Sequence, residues 1–275
     1  MLLFVGLAAA AIYVLLLGLM WMQQERIVFQ PPVVFSSFAS RREAVPNVRQ
    51  VSYRAEDGTD LFGFLIGEIR PNGPLLLAFH GNADLARNLI PWGAMVWASN
   101  GVPVLIPEIR GYDGLRGRPT YVDAAFDARA AFRFATETLG ACSERIAIFG
   151  HSLGSAIATE LASEHRPTAL LLQAPFTSAR AMARRMKLPG LTLFWRAISR
   201  VHYDTAQRVG TLLAPVFVAH GDRDLIVPVA MGRAVYEAAA VKGELLLVPG
   251  AGHNDVAECA PSEYWSWIGR ALRLT

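Results

Sequence analysis

The residue of this chain best suited to covalent chemistry is a serine between two glycines. Ser152 lies in the stretch "GHSLG" (150–154), between the apolar run "IAIF" and the small-residue run "SAIATEL". A sharp strand-to-helix turn of this kind lifts a serine hydroxyl above a sheet, beside the free N–H groups of a helix N-terminus. We therefore interpret Ser152 as a nucleophile rather than as part of a plain glycine-rich turn.

A serine hydroxyl needs a base with a pKa near neutral and a carboxylate that orients that base. His253 follows the last strand-like run, in the loop "GAGHND", and we predict that it is the base. The other histidines downstream of the glycine turn, or inside it, fit worse. His151 adjoins Ser152, His165 ends the next helix, His202 lies in an irregular segment, and His220 precedes the acid.

Two carboxylates in "HGDRDLIVP" could orient the base, since both follow the preceding strand-like run. Asp224 stands where the chain enters the next helix at Pro228. Asp222 directly follows a glycine and could instead cap the turn. The residues alone leave both open, whereas Asp255, two residues after the histidine, lies at the wrong strand end.

The reaction also needs N–H donors for the developing oxyanion. The backbone N–H of Leu153, directly after the nucleophile, is one candidate. The loop "FHGNADLARN" (79–88) supplies the other, because Gly81 permits close approach and the N–H of Asn82 follows it. His80 is either a brace for this loop or a plain strand-end histidine.

Short apolar strands alternate with helical segments from Val48 onward, which predicts a mostly parallel eight-stranded sheet with helices on both faces. A hairpin around Asp57-Gly58 adds antiparallel strands at one edge. Residues 177–210 break this rhythm and carry several arginines and "LPGLTLFW" (188–195). This segment is either a lid over the strand ends, where ligands bind, or an ordinary crossover helix.

The N-terminus predicts one transmembrane helix, because no charged residue occurs from Leu2 to Met22. We predict an anchor over residues 1–24, a linker over 25–47 and the catalytic domain over 48–275. A cleaved signal peptide and a buried core helix are the alternatives. Arg26, Arg41 and Arg42 follow the apolar run, which favours a cytoplasmic domain. With so few charges, the opposite side stays open.

Composition argues against several other classes of function. The net charge is only +3, and no basic run with interleaved aromatic residues suggests nucleic-acid binding. The six histidines are scattered, so no metal site is predicted, and no glycine motif indicates a nucleotide cofactor. Cys142 and Cys259 make no CxxC pattern, and each is interpreted as a buried thiol rather than as a ligand or half of a disulfide.

Six strings together resemble the α/β-hydrolase superfamily, from about Gln50 to the C-terminus: "HGNA", "RGYDGLRGRPT", "GHSLGSAIA", "APFTS", "HGDRDLIVP" and "GAGHND". They are most similar to the branch of N-terminally anchored serine hydrolases. That branch is related to serine aminopeptidase-like hydrolases and to eukaryotic membrane-associated protein depalmitoylases. The resemblance implies the α/β-hydrolase fold and Asp224 as the acid of a triad. "RGYDGLRGRP" departs from it, since relatives usually carry Gly-x-Ser after the tyrosine.

We therefore expect a membrane-anchored serine hydrolase that cleaves carboxylic esters or thioesters through an acyl-enzyme. Its expected partners are a small-molecule or lipid acyl ester and the membrane, and neither a cofactor nor an oligomeric state is indicated. A membrane-tethered binding module is the alternative from another class. An acyltransferase or a peptidase would use the same three residues.

Overall fold

Eight strands form one sheet in this computed structural model, which describes residues 2–32, 47–185 and 199–273. The strand order is β1-β2-β4-β3-β5-β6-β7-β8, and only β2 runs antiparallel to its neighbours β1 and β4. This confirms the predicted mostly parallel sheet with an antiparallel hairpin at one edge. The strands are Val48–Arg54 (β1), Asp60–Ile66 (β2), Leu75–Phe79 (β3), Val104–Pro107 (β4), Ile146–His151 (β5), Leu170–Gln173 (β6), Val216–Gly221 (β7) and Lys242–Val248 (β8).

Helices cover both faces of the sheet, because the central strands are buried on both sides. Along β3, Leu75 and Leu77 pack into one apolar cluster and Leu76 into the other. The described helices are Leu2–Val28 (α1), Ile90–Asn100 (α2), Tyr121–Arg133 (α3), Leu153–Glu164 (α4), Ala179–Arg184 (α5), Thr205–Val209 (α6), Val229–Ala238 (α7), Val256–Cys259 (α8) and Pro261–Leu272 (α9). Helices α3, α4, α6 and α7 pack on the first face, and α2, α8 and α9 on the second.

The first helix is long and apolar enough to cross a membrane. Its candidate span is Phe4–Val28, with a mean hydropathy of 2.3. Phe4 is 78% exposed and no residue of the most apolar stretch is buried, so the structure does not support a buried core helix. The exposed helix is compatible with an anchor or with a signal sequence.

Helix α1 also touches the domain, which the sequence did not predict. It continues four residues past the expected anchor boundary at 24, and Phe29 directly after it is buried in the first-face cluster. The Glu25 carboxylate accepts the backbone N–H of Tyr121 at 3.0 Å. The first part of the expected linker therefore packs on the domain, and its remainder, 33–46, lies outside the described residues.

The expected lid is described only at its two ends. Helix α5 and residues 199–210, including α6, belong to it, whereas residues 186–198 with "LPGLTLFW" lie outside the described residues. The choice between a lid and a crossover helix therefore stays open.

Candidate active site

Ser152 occupies a strained turn between β5 and α4. Its backbone φ is 52° and its ψ is −115°, a conformation that non-glycine residues rarely adopt. The flanking glycines are required by space. A Cβ at Gly150 would overlap the Gly154 carbonyl, and a Cβ at Gly154 would overlap the carbonyls of Phe79 and His80. Close packing of α4 against the strand ends thus holds the serine above the sheet.

Three of the sequence-predicted side chains form one chain of hydrogen bonds. The Nε2 atom of His253 lies 2.9 Å from the Oγ of Ser152, and its Nδ1 lies 2.7 Å from Oδ2 of Asp224. These residues come from three separate strand ends, after β5, β7 and β8. The other candidate acid, Asp222, points elsewhere: its Oδ1 accepts the backbone N–H of Gly250 at 2.7 Å.

Asp224 is held as a buried carboxylate by donors on both of its oxygens. Its Oδ1 accepts the N–H groups of Ile226 and Val227, each at 2.8 Å. Its Oδ2 faces His253 and also His220, at 3.1 Å. Burial alone would raise the pKa of Asp224, but the hydrogen bonds from His220, His253 and Val227 hold it well below the usual range. The group is therefore ionised at neutral pH.

His220 is a contact that the sequence reasoning missed. Its Nε2 lies 2.8 Å from the carbonyl of Val227. A carbonyl only accepts, so this nitrogen carries the proton and shares it with Asp224. Gly232 leaves room for the ring, since a Cβ there would overlap it. The spacing of four residues between His220 and Asp224, across the end of β7, was the available signal.

His151, to which the sequence analysis gave no role, supports the loop that carries His253. Its Nε2 donates to the backbone carbonyl of His253 at 3.1 Å, and the centres of the two rings are 5.0 Å apart. Burial, with a smaller effect from His253, lowers the pKa of His151 to about 4. The ring is therefore neutral at pH 7 and stays available as a donor.

This neutral histidine predicts a loss of stability in acid. The unfolded chain binds a proton at His151 below pH 6.5, whereas the folded chain resists it down to about pH 4. The free energy of unfolding should therefore fall as the pH drops from 6.5 to 4, by on the order of 1–3 kcal/mol from this group. Thermal unfolding at pH 7 and at pH 4.5 measures the effect.

The matched control for that prediction is a second histidine. In His151→Gln the acid-induced drop in melting temperature should be smaller than in the native protein, because the titrating group is gone. In His202→Gln, at an exposed position, it should stay as in the native protein. Equal drops in all three proteins would contradict the assignment.

The two expected oxyanion donors come from separate parts of the chain, Leu153 from the start of α4 and Asn82 from the loop after β3. Leu153 is the first residue of α4, where a helix leaves its N–H groups without partners. Within the described part of the chain, the backbone N–H groups of Leu153 and Asn82 have no acceptor. Both are therefore free to bind an oxyanion, and their use in this role stays a prediction.

The side chain of Asn82 ties the oxyanion loop to the end of α1. Its Nδ2 donates to the carbonyl of Val28 at 2.7 Å. Its Oδ1 accepts from the backbone N–H of Gln30 and from the hydroxyl of Tyr112, each at 2.8 Å. The sequence indicates only the backbone N–H of Asn82 as a donor, so these side-chain contacts are a finding of the structure.

His80 braces the base of the same loop. Its Nδ1 lies 2.8 Å from the carbonyl of Gly81 and its Nε2 lies 2.8 Å from a carboxylate oxygen of Glu108. Both partners accept, so both ring nitrogens donate. Burial alone would lower the pKa of His80, but Glu108 and Gly81 raise it above its ordinary value. The structure thus favours the brace over the plain strand-end reading.

Ser152 lies between two cavities of different character. One, of about 260 Å³, is mostly apolar, and Leu153, Phe176, Met182 and Val227 are among its walls. The other, of about 650 Å³, has a mixed lining in which the polar residues Asp84, Gln173, His253 and Glu258 stand beside apolar ones such as Leu89 and Trp92. No cluster of three or more potential metal ligands occurs among the described residues. Cys142 and Cys259 are free thiols, but the expectation that both are buried was wrong, since Cys142 is half-buried and Cys259 is exposed.

An eight-stranded, mostly parallel sheet with a serine at a strand–turn–helix elbow defines an α/β-hydrolase fold. The family model described as "Alpha/beta hydrolase family" matches residues 75–208. The uncharacterized protein Rv2307c of Mycobacterium tuberculosis is 36% identical over 236 residues, which cover 86% of this chain and 82% of the relative. This chain belongs to the alpha/beta hydrolase family, as the sequence resemblance implied.

Two further likenesses agree with the family. Protein bem46 of Schizosaccharomyces pombe is 26% identical, over 81% of this chain and 77% of its own length. The esterase Pf2001 of Pyrococcus furiosus superposes with a TM-score of 0.66 over 90% of this chain and 96% of the esterase, at 22% identity. The second likeness concerns the fold alone.

Proposed function

We propose that this protein is a membrane-anchored serine hydrolase that cleaves carboxylic esters or thioesters through an acyl-enzyme. The observation that carries the proposal is the hydrogen-bonded series from Ser152 through His253 to Asp224. It supplies a nucleophile, a base and an orienting carboxylate in contact with one another. Membership of a family with esterase neighbours in its fold supports a hydrolytic reaction in general.

In the proposed mechanism, the Oγ of Ser152 attacks the substrate carbonyl while Nε2 of His253 takes its proton. The N–H groups of Asn82 and Leu153 stabilise the oxyanion. The imidazolium then protonates the leaving alcohol or thiol, and an acyl-serine ester remains. His253 next takes a proton from water, whose oxygen attacks this ester. The acid leaves, and the serine regains its proton.

The two cavities suggest how a substrate lies across the site. An acyl chain suits the apolar cavity, and a polar leaving group suits the open cleft on the other side of Ser152. An acyltransferase or a peptidase would share the first half of this reaction, so only product analysis separates them. A binding module would need neither the strained serine nor its two partners.

For its location we propose an uncleaved anchor formed by α1, with the catalytic domain on the cytoplasmic side. The apolar span Phe4–Val28 supports the anchor, and the arginines that follow it support the orientation. The contacts of Trp21 and Gln24 with Arg200 favour retention of the helix, because removal of the apolar helix would abolish them.

One labelling experiment tests the function and the orientation together. A fluorophosphonate carrying a charged, membrane-impermeant dye should label the protein in permeabilised right-side-out vesicles, with the adduct on the peptide that contains Ser152. Intact vesicles should give no labelling. Absence of labelling after permeabilisation contradicts a serine hydrolase, and strong labelling of intact vesicles contradicts a cytoplasmic domain.

A further inference from the structure

The membrane helix contributes a wall to the apolar cavity that Ser152 also lines. One face of α1 carries Leu17, Met20, Gln24 and Val28, which recur at helical spacing and all line this cavity. Trp21 and Ile27 border the same space. The cavity thus lies between a candidate membrane span and the catalytic domain, and Ser152 and Leu153 also line it.

The opposite face of the helix does not line the cavity. Leu16 is 52% exposed, Leu19 is 47% exposed and Met22 is 65% exposed, whereas Leu17 and Met20 are partly buried. The outward face therefore suits lipid, and the inward face suits a ligand in the cavity. Met20 and Met22 present the same side chain to these two environments, two residues apart.

Polar contacts fix the helix on both sides of the cavity. On one side, Asn82 holds the carbonyl of Val28 at 2.7 Å. On the other, Oε1 of Gln24 accepts the backbone N–H of Arg200 at 2.7 Å, and the Arg200 guanidinium lies 4.1 Å from the centre of the Trp21 ring. The wall formed by α1 is therefore part of the site rather than a helix that happens to lie near it.

We propose that α1 forms the acyl-chain subsite of the enzyme, so that the substrates are amphiphiles of the bilayer with one unbranched acyl chain of medium to long length. This inference rests on the proposed function. Four observations on the cavity carry it: its apolar lining, the presence of Ser152 in that lining, its wall of membrane-helix residues and its size. Its volume of about 260 Å³ is close to the lower end of the range found for small-ligand pockets.

The position of the wall along the helix explains how such a chain arrives. A span of about 20 residues crosses the hydrocarbon core. Counted from Phe4, such a span ends near Gln23, so Leu17 and Met20 lie within the leaflet next to the domain. The wall then continues past the span to Val28, beside the oxyanion loop. An acyl chain can thus pass from the leaflet to Ser152 along one apolar face.

The test compares Met20→Trp with Met22→Trp in the full-length protein in nanodiscs. The measured quantity is the ratio of kcat/KM for p-nitrophenyl octanoate to that for p-nitrophenyl butanoate. Each methylene moved from water into an apolar cavity contributes about fourfold. Filling the cavity at Met20 should therefore lower the ratio at least tenfold, whereas Met22→Trp should change it less than twofold. Met20→Ala should raise the ratio of decanoate to octanoate hydrolysis.

The possible outcomes separate this inference from the proposed function. The native protein could hydrolyse p-nitrophenyl butanoate through Ser152 while neither tryptophan substitution changes the octanoate-to-butanoate ratio. The acyl subsite would then lie elsewhere, and only this inference would be wrong. An equal fall of the octanoate-to-butanoate ratio in Met20→Trp and Met22→Trp also overturns the inference. If Met20→Trp does not fold, an unchanged preference in Met20→Ala overturns it. Absence of any Ser152-dependent hydrolysis removes the proposed function as well.

Discussion

Replacement of Ser152 by alanine is expected to abolish hydrolysis of p-nitrophenyl esters while the protein stays folded. The substitution removes the atom that attacks the substrate carbonyl in the proposed mechanism, and kcat should fall by on the order of 10⁴–10⁶. The hydroxyl makes one hydrogen bond, to Nε2 of His253, so little stability is lost with it. Steady-state kinetics and thermal unfolding of the same sample separate the two effects.

Ser163→Ala is the matched control for this substitution. Ser163 lies near the other end of α4, is exposed, and donates its hydroxyl to the Glu160 carbonyl at 2.7 Å. Its replacement should leave kcat within twofold of the native value. If Ser152→Ala retained a tenth or more of the native kcat, the serine would not be the nucleophile.

The second large effect is expected at the carboxylate behind the base. In Asp224→Asn, the amide oxygen can still accept from Ile226 and Val227, but its NH₂ group then faces His253 and His220. His253 can form a hydrogen bond with this NH₂ group only by accepting at Nδ1. Its proton then moves to Nε2, and the base is lost. We expect kcat to fall by about 10⁴ with a much smaller change in KM.

Asp222→Asn provides the comparison within the same loop. Its Oδ1 accepts the N–H of Gly250, and an asparagine oxygen can accept the same bond. Its kcat should stay within about threefold of the native value. A larger loss in Asp222→Asn than in Asp224→Asn would reverse the assignment of the orienting carboxylate. If a fall in kcat were caused only by unfolding, the fraction of folded protein would fall by the same factor.

The sheet was predictable from the sequence because its strands are short, apolar and bounded by turn residues. Continuous runs such as those at β3 and β5 are typical of strands buried on both faces, and the Asp57-Gly58 turn marked the hairpin. The chain order of Ser152, the aspartates and His253 follows from the same pattern. Each lies after a strand, and parallel strands bring their carboxyl ends to one edge of the sheet.

The choice between two carboxylates could not be read from the residues. Asp222 and Asp224 are two positions apart at the end of β7, and their directions depend on how that turn closes. In the structure, Asp222 binds the loop after β8 through Gly250, which leaves Asp224 to face the histidine. The support from His220 and His151 depends on rings that pack across separate strand ends, and spacing alone does not specify such contacts.

The packing of α1 on the domain was the other feature that could not be predicted from the sequence. Most of this helix is apolar on all sides, so its sequence lacks the polar face that normally tells which side packs inward. The apolar pattern is interrupted only near its end, by Gln23, Gln24, Glu25 and Arg26. The contacts of Asn82 with Val28 and of Gln24 with Arg200 join segments that are far apart in the chain.

The central claim is that Ser152 carries the acyl group during turnover, and a rapid-quench mass measurement tests it most directly. Full-length protein in nanodiscs is mixed with excess p-nitrophenyl octanoate, quenched in acid within milliseconds to seconds, and digested. The account predicts an octanoyl group on the peptide that contains Ser152, formed with a stoichiometric burst of nitrophenolate and absent in Ser152→Ala. Rapid hydrolysis with no acyl group on that peptide, or with the group on another residue, would contradict it.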